Sequence, residues 1–260
     1  MTNIVIYQST FGFKCMKCRH AVPIEVGADC RSEFIYSLKD NTGDNISLEN
    51  PYFGELTGLY WIWKNAEFSE TYIGYCHYNK ILKISDSNIS ELLTENPDVW
   101  IVAKPEKIPS HSRPEEWLIF CEVIKDLYPE CIPSLNRCFD NSGGSNECYI
   151  ANMFITSEQQ FDSYCKFAFN ILFETRKRIG DIDSDKYNKR YCAFLGERLL
   201  TIYLATYDLE AHAVPIYHNK EGFLILRNLL KKTGIQKNGK LYKWLDRHFG
   251  ALTSMSSYKK

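Results

Sequence analysis

The sequence lacks the segments that direct a chain into or across a membrane. None of its apolar runs approaches the ~18 residues that a spanning helix requires. Its N-terminus, MTNIVIYQST, has no basic segment followed by a long apolar stretch, so we expect a cytoplasmic protein. Strong net charge is also absent, because 31 Lys and Arg residues balance 32 Asp and Glu residues. Hydrophobic residues make up 45% of the chain and charged residues 24%, which excludes a disordered or fibrous protein.

A disulfide framework is not expected either, although the sequence contains ten cysteines. In a cytosolic chain of this length they are expected to be free, buried thiols. The motif CMKC, from Cys15 to Cys18, has with His20 and Cys30 the composition of half a zinc site. A structural site needs a second close pair, and the next cysteine is Cys76. We favour loop cysteines without metal; a zinc- or redox-regulated interaction protein is the alternative.

Charge is distributed unevenly along the chain. Residues 220–260 contain ten Lys or Arg against Glu221 and Asp246, a balance of +8, which leaves −9 on residues 1–219 and gives the overall −1. This asymmetry predicts a main domain over 1–219 and a basic amphipathic helical segment over 220–260. The segment is expected either to pack its apolar side on the domain or to rest its basic face on anionic lipid headgroups.

Strand and helix patterns alternate along the main domain. Apolar runs at 3–9, 21–29, 71–78, 98–105 and 148–156 predict strands. Helical spacing predicts helices at about 53–65, 114–127, 157–179 and 193–207, and polar residues predict a loop at 130–147. The alternation predicts an α/β sheet covered on both faces. Ligands bind such sheets at the carboxyl ends of the strands, where Gln8, Asp29 and His77 fall.

The strand TYIGY ends in an unusual polar group. It has no pair of aspartates; His77, Tyr78, Asn79 and Lys80 follow instead. An imidazole, a hydroxyl, an amide and a cation form a donor-rich set that suits phosphate oxygens. A structural histidine is the alternative for His77. The high aromatic content, 14%, also favours a carbohydrate or nucleotide ligand.

A second candidate lies in GERLLTIYL, residues 196–204, where Glu197 and Arg198 begin an apolar stretch. Either Glu197 is a surface residue stabilised by the helix dipole, or it is a carboxylate base held beside a cation.

Several of these segments together resemble a known family. DNISLENPYFGELTGLYWIWKN, IGYCHYNKIL, NMFI, YCKFAFNILFE and GERLLTIYL are similar, in order, to a bacterial family of capsular and exopolysaccharide-biosynthesis glycosyltransferases that was long labelled a domain of unknown function. The family has been associated with galactofuranosyl transfer. Its strand-end motif is His-Tyr-Arg-Arg; here His77 and Tyr78 match, and Asn79 and Lys80 replace the arginines. Gln8 and Ser9 replace a usual His-Lys pair.

The resemblance implies a GT-A-like nucleotide-sugar fold with a mixed, mostly parallel sheet. It implies transfer of a hexose, such as galactofuranose, from a UDP-sugar to a saccharide or lipid-linked acceptor in capsular, exo- or lipopolysaccharide synthesis. No cofactor, metal or nucleic acid is expected. An acceptor on a lipid carrier would favour peripheral association of the basic segment with the inner face of the cytoplasmic membrane. A non-catalytic nucleotide- or carbohydrate-binding module of the same fold is the alternative.

The resemblance also suggests roles for individual residues. Glu197 is expected to be the base of an inverting displacement, with Asp181, Asp183 and Asp185 as rivals, and His77 contacts the donor phosphate or sugar. Asn152 is expected on the acceptor side. The expected donor-binding residues are Tyr7, Gln8, Gly27, Asp29, Asn45, Ser47, Asn50, Glu55, Tyr78, Lys80 and Arg198.

Overall fold

The computed structural model describes residues 3–182 and 189–218. The strands are β1 (Ile4–Thr10), β2 (Ala21–Glu25), β3 (Tyr72–His77), β4 (Lys80–Leu82), β5 (Trp100–Ala103), β6 (Glu106–Ile108), β7 (Ser145–Cys148), β8 (Phe154–Ser157), β9 (Ala211–Val214) and β10 (Ile216–His218). The α-helices are α1 (Asn50–Phe53), α2 (Leu56–Asn65), α3 (Asp86–Glu95), α4 (Pro114–Leu127), α5 (Ile132–Cys138), α6 (Glu158–Ile179) and α7 (Tyr191–Thr206).

The main sheet has the central order β2-β1-β3-β8-β5-β9. β1 is parallel to β2 and β3, and β5 is parallel to β9. β8 lies antiparallel between β3 and β5, so the sheet is mixed. β4 returns from β3 in a hairpin that pairs His77 with Lys80. β6 and β7 form a separate antiparallel pair.

Both faces of this sheet are buried, as the continuous apolar runs predict. Successive side chains of a strand point to opposite faces. Val5 and Tyr75 therefore lie in the larger apolar cluster, with residues of α2, α4, α6 and α7. Ile6 and Cys76 lie in the smaller cluster, with residues of α3. The alternation places Cys76 and the neighbouring His77 on opposite faces.

Two local predictions were wrong. The region 130–147 is not a loop throughout, because it contains α5 and most of β7; Ile132, Leu135 and Phe139 follow helical spacing and pack against the larger cluster. The predicted strand 148–156 is interrupted, because Ala151 and Asn152 adopt φ angles of 67° and 48°. Left-handed backbone cannot continue an extended strand, so β8 begins only at Phe154.

A buried carboxylate joins three separate segments near the end of β2. Asp40 has 0% of its surface exposed and accepts four hydrogen bonds. The donors are the amides of Gly27 at 2.7 Å and Ala28 at 2.9 Å, and the hydroxyls of Ser47 at 2.7 Å and Thr57 at 2.6 Å. The turn after β2, the 3-10 helix Ser47–Glu49 and the first turn of α2 are thereby fixed to one another.

A second buried carboxylate organises the segment that follows β1. Glu25, also fully buried, forms an ion pair with Arg31 and accepts hydrogen bonds from the amides of Gly12 at 3.0 Å, Ile35 at 2.7 Å and Tyr36 at 3.0 Å. Burial raises the pKa of Glu25, but Arg31 and the amides of Ile35 and Tyr36 together bring it below its ordinary value. The charge of Glu25 is therefore compensated inside the protein.

The expected boundary near residue 219 stays a prediction. The described chain up to Ile216 forms one compact unit. The basic segment 220–260 lies outside the described residues, and so does its expected membrane contact. Within residues 3–182 and 189–218, none of the helices combines the length and apolar character that crossing a bilayer demands.

We predict that Asp40→Asn lowers the free energy of unfolding by about 3 kcal/mol, because the amide group leaves buried donors without an acceptor. Urea denaturation measures the change. Asp208→Asn is the matched control: Asp208 is exposed at a φ of 49°, a conformation that Asn tolerates, so the change there is expected to be below about 0.5 kcal/mol. Equal effects at the two positions would contradict the role assigned to Asp40.

Candidate functional site

The first group of predicted site residues surrounds the turn after β2. The amide of Asp29 donates to the Ser47 hydroxyl at 3.0 Å, and Asn41 donates to the exposed Asp29 carboxylate at 2.9 Å. Asn45 accepts from the Ser47 amide at 3.1 Å. The structure therefore brings Gly27, Asp29, Asn45 and Ser47 together on the framework of Asp40. Asp29 presents a carboxylate to solvent at the end of this framework.

Asn50 connects this group to the next turn. Its Nδ2 donates to the Gly54 carbonyl at 2.7 Å and to the Thr57 hydroxyl at 3.0 Å. Gly27 has a φ of 62°, and a Cβ there would lie 2.6 Å from Asn50 Oδ1. A side chain at position 27 would thus displace Asn50, whose hydrogen bonds hold the turn that precedes Glu55.

The second group forms where α7 packs against the turn between α1 and α2. The approach is close, because a Cβ at Gly54 would lie 3.3 Å from the Ala193 Cβ, and one at Gly196 would lie 2.7 Å from Leu56 Cδ1. Glu55 directly follows Gly54, and Glu197 directly follows Gly196. The small residues therefore allow two carboxylates, one from each segment, to lie in the same region.

Arg190 completes this group, and the sequence interpretation missed it. Its Nη2 donates to Glu55 Oε2 at 2.9 Å, while its buried Nε has no hydrogen-bond partner among the described residues. Arg190 directly precedes α7 and lies seven positions before Glu197, a spacing that places both on one face of a helix. That spacing was the available signal.

Glu197 titrates close to neutral pH. Its pKa is raised to about 7, chiefly by desolvation through burial and then by the nearby Glu55 carboxylate. Lys80, Arg198 and Arg190 act in the opposite direction, since each cation favours the ionised carboxylate. A carboxylate with such a pKa can take up a proton near pH 7.

His77 is held in one tautomer. Its Nε2 lies 2.6 Å from the carbonyl oxygen of Ala151, which can only accept, so Nε2 bears the hydrogen. Burial is the main cause that lowers the pKa of His77; Lys80 and Arg190 lower it too, and Glu55 and the Ala151 carbonyl raise it. At neutral pH the ring is therefore uncharged, and its Nδ1 presents a lone pair.

The left-handed pair Ala151 and Asn152 supports this arrangement. It directs the Ala151 carbonyl to His77 and buries Asn152 completely. Asn152 Oδ1 accepts from the Tyr164 hydroxyl at 3.2 Å, and Asn152 Nδ2 has no partner within the described part of the chain. Asn152 thus directly follows the residue whose carbonyl holds His77.

The strand-end residues after His77 are positioned by the β3–β4 hairpin. Lys80 pairs with His77 across it and influences the titration of both His77 and Glu197. The Tyr78 ring stacks on Phe13, with ring centroids 4.9 Å apart, and its amide donates to the Ser9 carbonyl at 2.8 Å. Lys80 therefore lies close enough to Glu197 to affect its titration, and Tyr78 packs against the segment after β1.

Other predicted residues have different surroundings. Tyr7 lies in the larger apolar cluster, and the fully buried Gln8 donates from Nε2 to the His77 carbonyl at 3.0 Å. The Arg198 guanidinium donates to the carbonyls of Gly143, Phe194 and Pro109.

Asp181 accepts from Tyr52 at 3.0 Å and from Arg176 at 2.5 Å. Asp183 and Asp185 lie outside the described residues. The roles assigned to all of these residues stay predictions.

Metal-ligating side chains do not converge in the described structure. Across residues 3–182 and 189–218, no group of three or more His, Cys, Asp or Glu side chains is arranged to hold a metal ion. The half-site suggested by Cys15, Cys18, His20 and Cys30 therefore gains no further ligand among these residues.

Comparison with known proteins gives a fold and a family. The chain is similar to the apo structure of WbbM, a bifunctional glycosyltransferase, with a TM-score of 0.71 and 22% identity over 84% of this chain. It spans only 45% of that protein, and no curated protein matches it. The similarity confirms the GT-A-like fold expected from the sequence. The model of the family described as a domain of unknown function, DUF4422, matches residues 6–208. The chain therefore belongs to the DUF4422 family.

Proposed function

We propose that this protein is a glycosyltransferase that uses a nucleotide-sugar donor. The main observation is the grouping of Glu197, whose pKa is about 7, with Glu55, Lys80 and Arg190 next to the uncharged His77. Such a group can accept a proton and compensate negative charge in one place. The fold shared with WbbM, a bifunctional glycosyltransferase, supports the same proposal.

The proposed reaction is displacement at the anomeric carbon of the donor sugar. Ionised Glu197 takes the proton from an acceptor hydroxyl as its oxygen bonds to the anomeric carbon. The bond between that carbon and the diphosphate oxygen breaks, and its electron pair leaves with the diphosphate. Lys80 and Arg190 compensate the charge that accumulates on the leaving group. With one base and no protein nucleophile, the reaction inverts the anomeric centre.

The guanidinium of Arg190 can serve both Glu55 and the leaving group. Nη2 donates to Glu55, and the side chain is 33% exposed, although Nε is buried and has no partner among the described residues. A guanidinium can donate to a carboxylate and a phosphate at the same time because its donors are fixed in one plane. Glu55 therefore orients Arg190 in this proposal, and the partly exposed side chain presents its charge to the diphosphate.

His77 has a different part. Its Nε2–H is already bonded to Ala151, so the uncharged ring retains only an acceptor, Nδ1. An acceptor suits a sugar hydroxyl, whereas contact with a phosphate oxygen would require the protonated ring. The lowered pKa of His77 therefore favours the sugar contact over the phosphate contact.

The finer assignments rest on the resemblance of the sequence motifs. The proposed donor is a UDP-sugar, with galactofuranose or another hexose as the transferred group. The proposed acceptor is a saccharide or lipid-linked saccharide of capsular, exo- or lipopolysaccharide synthesis. Asp29, exposed beside Asn41, is suited to contact the nucleotide's hydroxyl groups as an acceptor. A thermal-shift screen of UDP, GDP, CMP and dTDP sugars tests the donor, since a ligand at 100 times its Kd adds about 2.7 kcal/mol.

The replacement of the family's paired arginines by Asn79 and Lys80 supports a second candidate, a binding module that has lost the reaction. Donor binding without hydrolysis or transfer to any acceptor would identify it. Three predictions follow, and the two that measure turnover separate the candidates.

Glu197→Gln is expected to reduce turnover by roughly 10² or more, because the amide keeps the shape but cannot accept the proton. Calorimetry should show unchanged UDP binding. In the unsubstituted enzyme the rate should fall as pH drops through about 7, since protonation removes the base. Glu91→Gln, at an exposed position of α3, is the control. Near-normal turnover of Glu197→Gln would instead assign the base to the aspartates at 181–185.

Arg190→Gln is expected to weaken UDP binding by roughly tenfold, about 1.4 kcal/mol, because one charge-assisted contact to phosphate is lost. Calorimetry with UDP and with uridine measures it, and only the phosphate-bearing ligand should be affected. Arg178→Gln removes a guanidinium that is paired with Glu174 and Asp126 on the surface of α6, so it is the matched control. An equal loss of uridine affinity would indicate a general distortion of the site.

Turnover is expected to persist in excess EDTA, because protein cations replace the metal that an Asp-x-Asp enzyme uses at the diphosphate. The rate is measured before and after chelation, and again with added Mn²⁺ or Mg²⁺. Activity that disappears with EDTA and returns with either ion would contradict the proposed use of Lys80 and Arg190.

A further inference from the structure

Two cysteine thiols lie on the face of the sheet opposite the one that carries the His77 side chain. Cys18 belongs to the segment between β1 and β2, and Cys76 is the penultimate residue of β3. Cys18 packs against the smaller apolar cluster that contains Cys76. Both line one cavity of about 140 Å³, together with Ile6, Ile89 and Ile155. Cys76 is only 2% exposed, whereas Cys18 is half-buried, so the cavity gives access mainly to Cys18.

The two thiols affect each other's titration in opposite directions. The interaction with Cys76 lowers the pKa of Cys18, and the same interaction, with burial, raises that of Cys76; Cys18 Sγ donates to the Arg19 carbonyl at 3.4 Å. Cys18 is therefore the better nucleophile and the more accessible one, since thiolate character and exposure govern cysteine reactivity. Cys76 is placed to attack a modified Cys18 from inside the protein.

The CMKC motif would suggest a different pair, Cys15 with Cys18. In the structure the Cys15 amide is bonded to the Tyr36 hydroxyl at 2.8 Å, and burial raises the pKa of the Cys15 thiol to about 11. Cys15 is thus protonated at neutral pH and a poor nucleophile. No disulfide joins any of the ten cysteines, all of which lie within the described residues.

We propose that Cys18 and Cys76 form an oxidation site that closes to a disulfide in the presence of a peroxide. The Cys18 thiolate attacks one peroxide oxygen, the O–O bond breaks, and hydroxide leaves to become water. The sulfur of the resulting sulfenic acid is attacked by Cys76, which loses its proton as the S–S bond forms and a second water leaves. Two thiols are oxidised, one hydrogen peroxide is reduced, and two waters are produced.

Closure would act on the strand end beside the candidate site. The segment containing Cys18 already contacts that end, through the Met16 amide bonded to the Tyr78 carbonyl at 2.8 Å and through Phe13 stacked on Tyr78. An S–S bond of about 2.05 Å is shorter than any contact between two unbonded thiols, so closure draws β3 and this segment together. Because His77 follows Cys76, oxidation is expected to weaken UDP binding; this consequence rests on the proposed function.

The test uses the full-length protein and stoichiometric hydrogen peroxide. After denaturation, maleimide labelling should count eight thiols where the reduced protein has ten, and peptide mapping should find Cys18 linked to Cys76. Dithiothreitol should restore the count. A peptide linking Cys15 to Cys18 would overturn the proposal, and so would Cys18 oxidised to sulfinic acid while Cys76 stays reduced.

Substituting Cys18 rather than the buried Cys76 tests the pairing without disturbing the packing of the core. Cys18→Ser should keep its nine thiols under the same treatment, whereas Cys15→Ser should still lose two. Thermal unfolding confirms that both are folded. Loss of two thiols from Cys18→Ser would overturn the pairing.

UDP calorimetry on the reduced and oxidised forms then tests the coupling. Equal UDP affinities of the two forms would overturn only the coupling between the disulfide and the site. If the reduced form does not bind UDP, the result counts against the proposed function. The disulfide itself is tested independently by the peptide mapping.

Discussion

The candidate site depends first on the hydrogen bonds that saturate the Asp40 carboxylate. A buried charge is tolerated only when donors compensate for its lost hydration, and here four donors from three chain segments do so. The same bonds set where Gly27 turns, where Ser47 lies and where α2 begins. Since Glu55 directly precedes α2, the position of its carboxylate relative to α7 follows from this contact.

In the rest of the site, positive side chains compensate the charges of two carboxylates. Glu55 and Glu197 repel each other in a desolvated region, and Arg190 and Lys80 reduce that repulsion. The result is one carboxylate fixed by an ion pair and another that exchanges its proton near neutral pH. His77, uncharged and fixed by a backbone carbonyl, adds a polar acceptor without adding charge.

Features that depend on residues close together in the sequence were predictable. Apolar periodicity gave the bounds of α4, and polar residues at a strand end indicated His77 and Lys80. The left-handed pair at Ala151 and Asn152 was not predictable, because Asn tolerates such a conformation but Ala does not favour it, and tertiary contacts impose it. Asp40 was missed for the same reason: within a polar loop nothing distinguishes a saturated, buried carboxylate from a solvated one.

The mixed sheet has a consequence for the order in which the molecule becomes complete. β3 pairs with β8, and β5 pairs with β9 through residues as distant in sequence as Trp100 and Ala211. Closing such long loops is entropically costly and slows folding. Glu55 meets Glu197 only when α7 has docked on the turn before α2. During synthesis, a chain that already has the hydrogen bonds around Asp40 therefore still lacks the contact between Glu55 and Glu197, and the candidate site is complete only after α7 has been made.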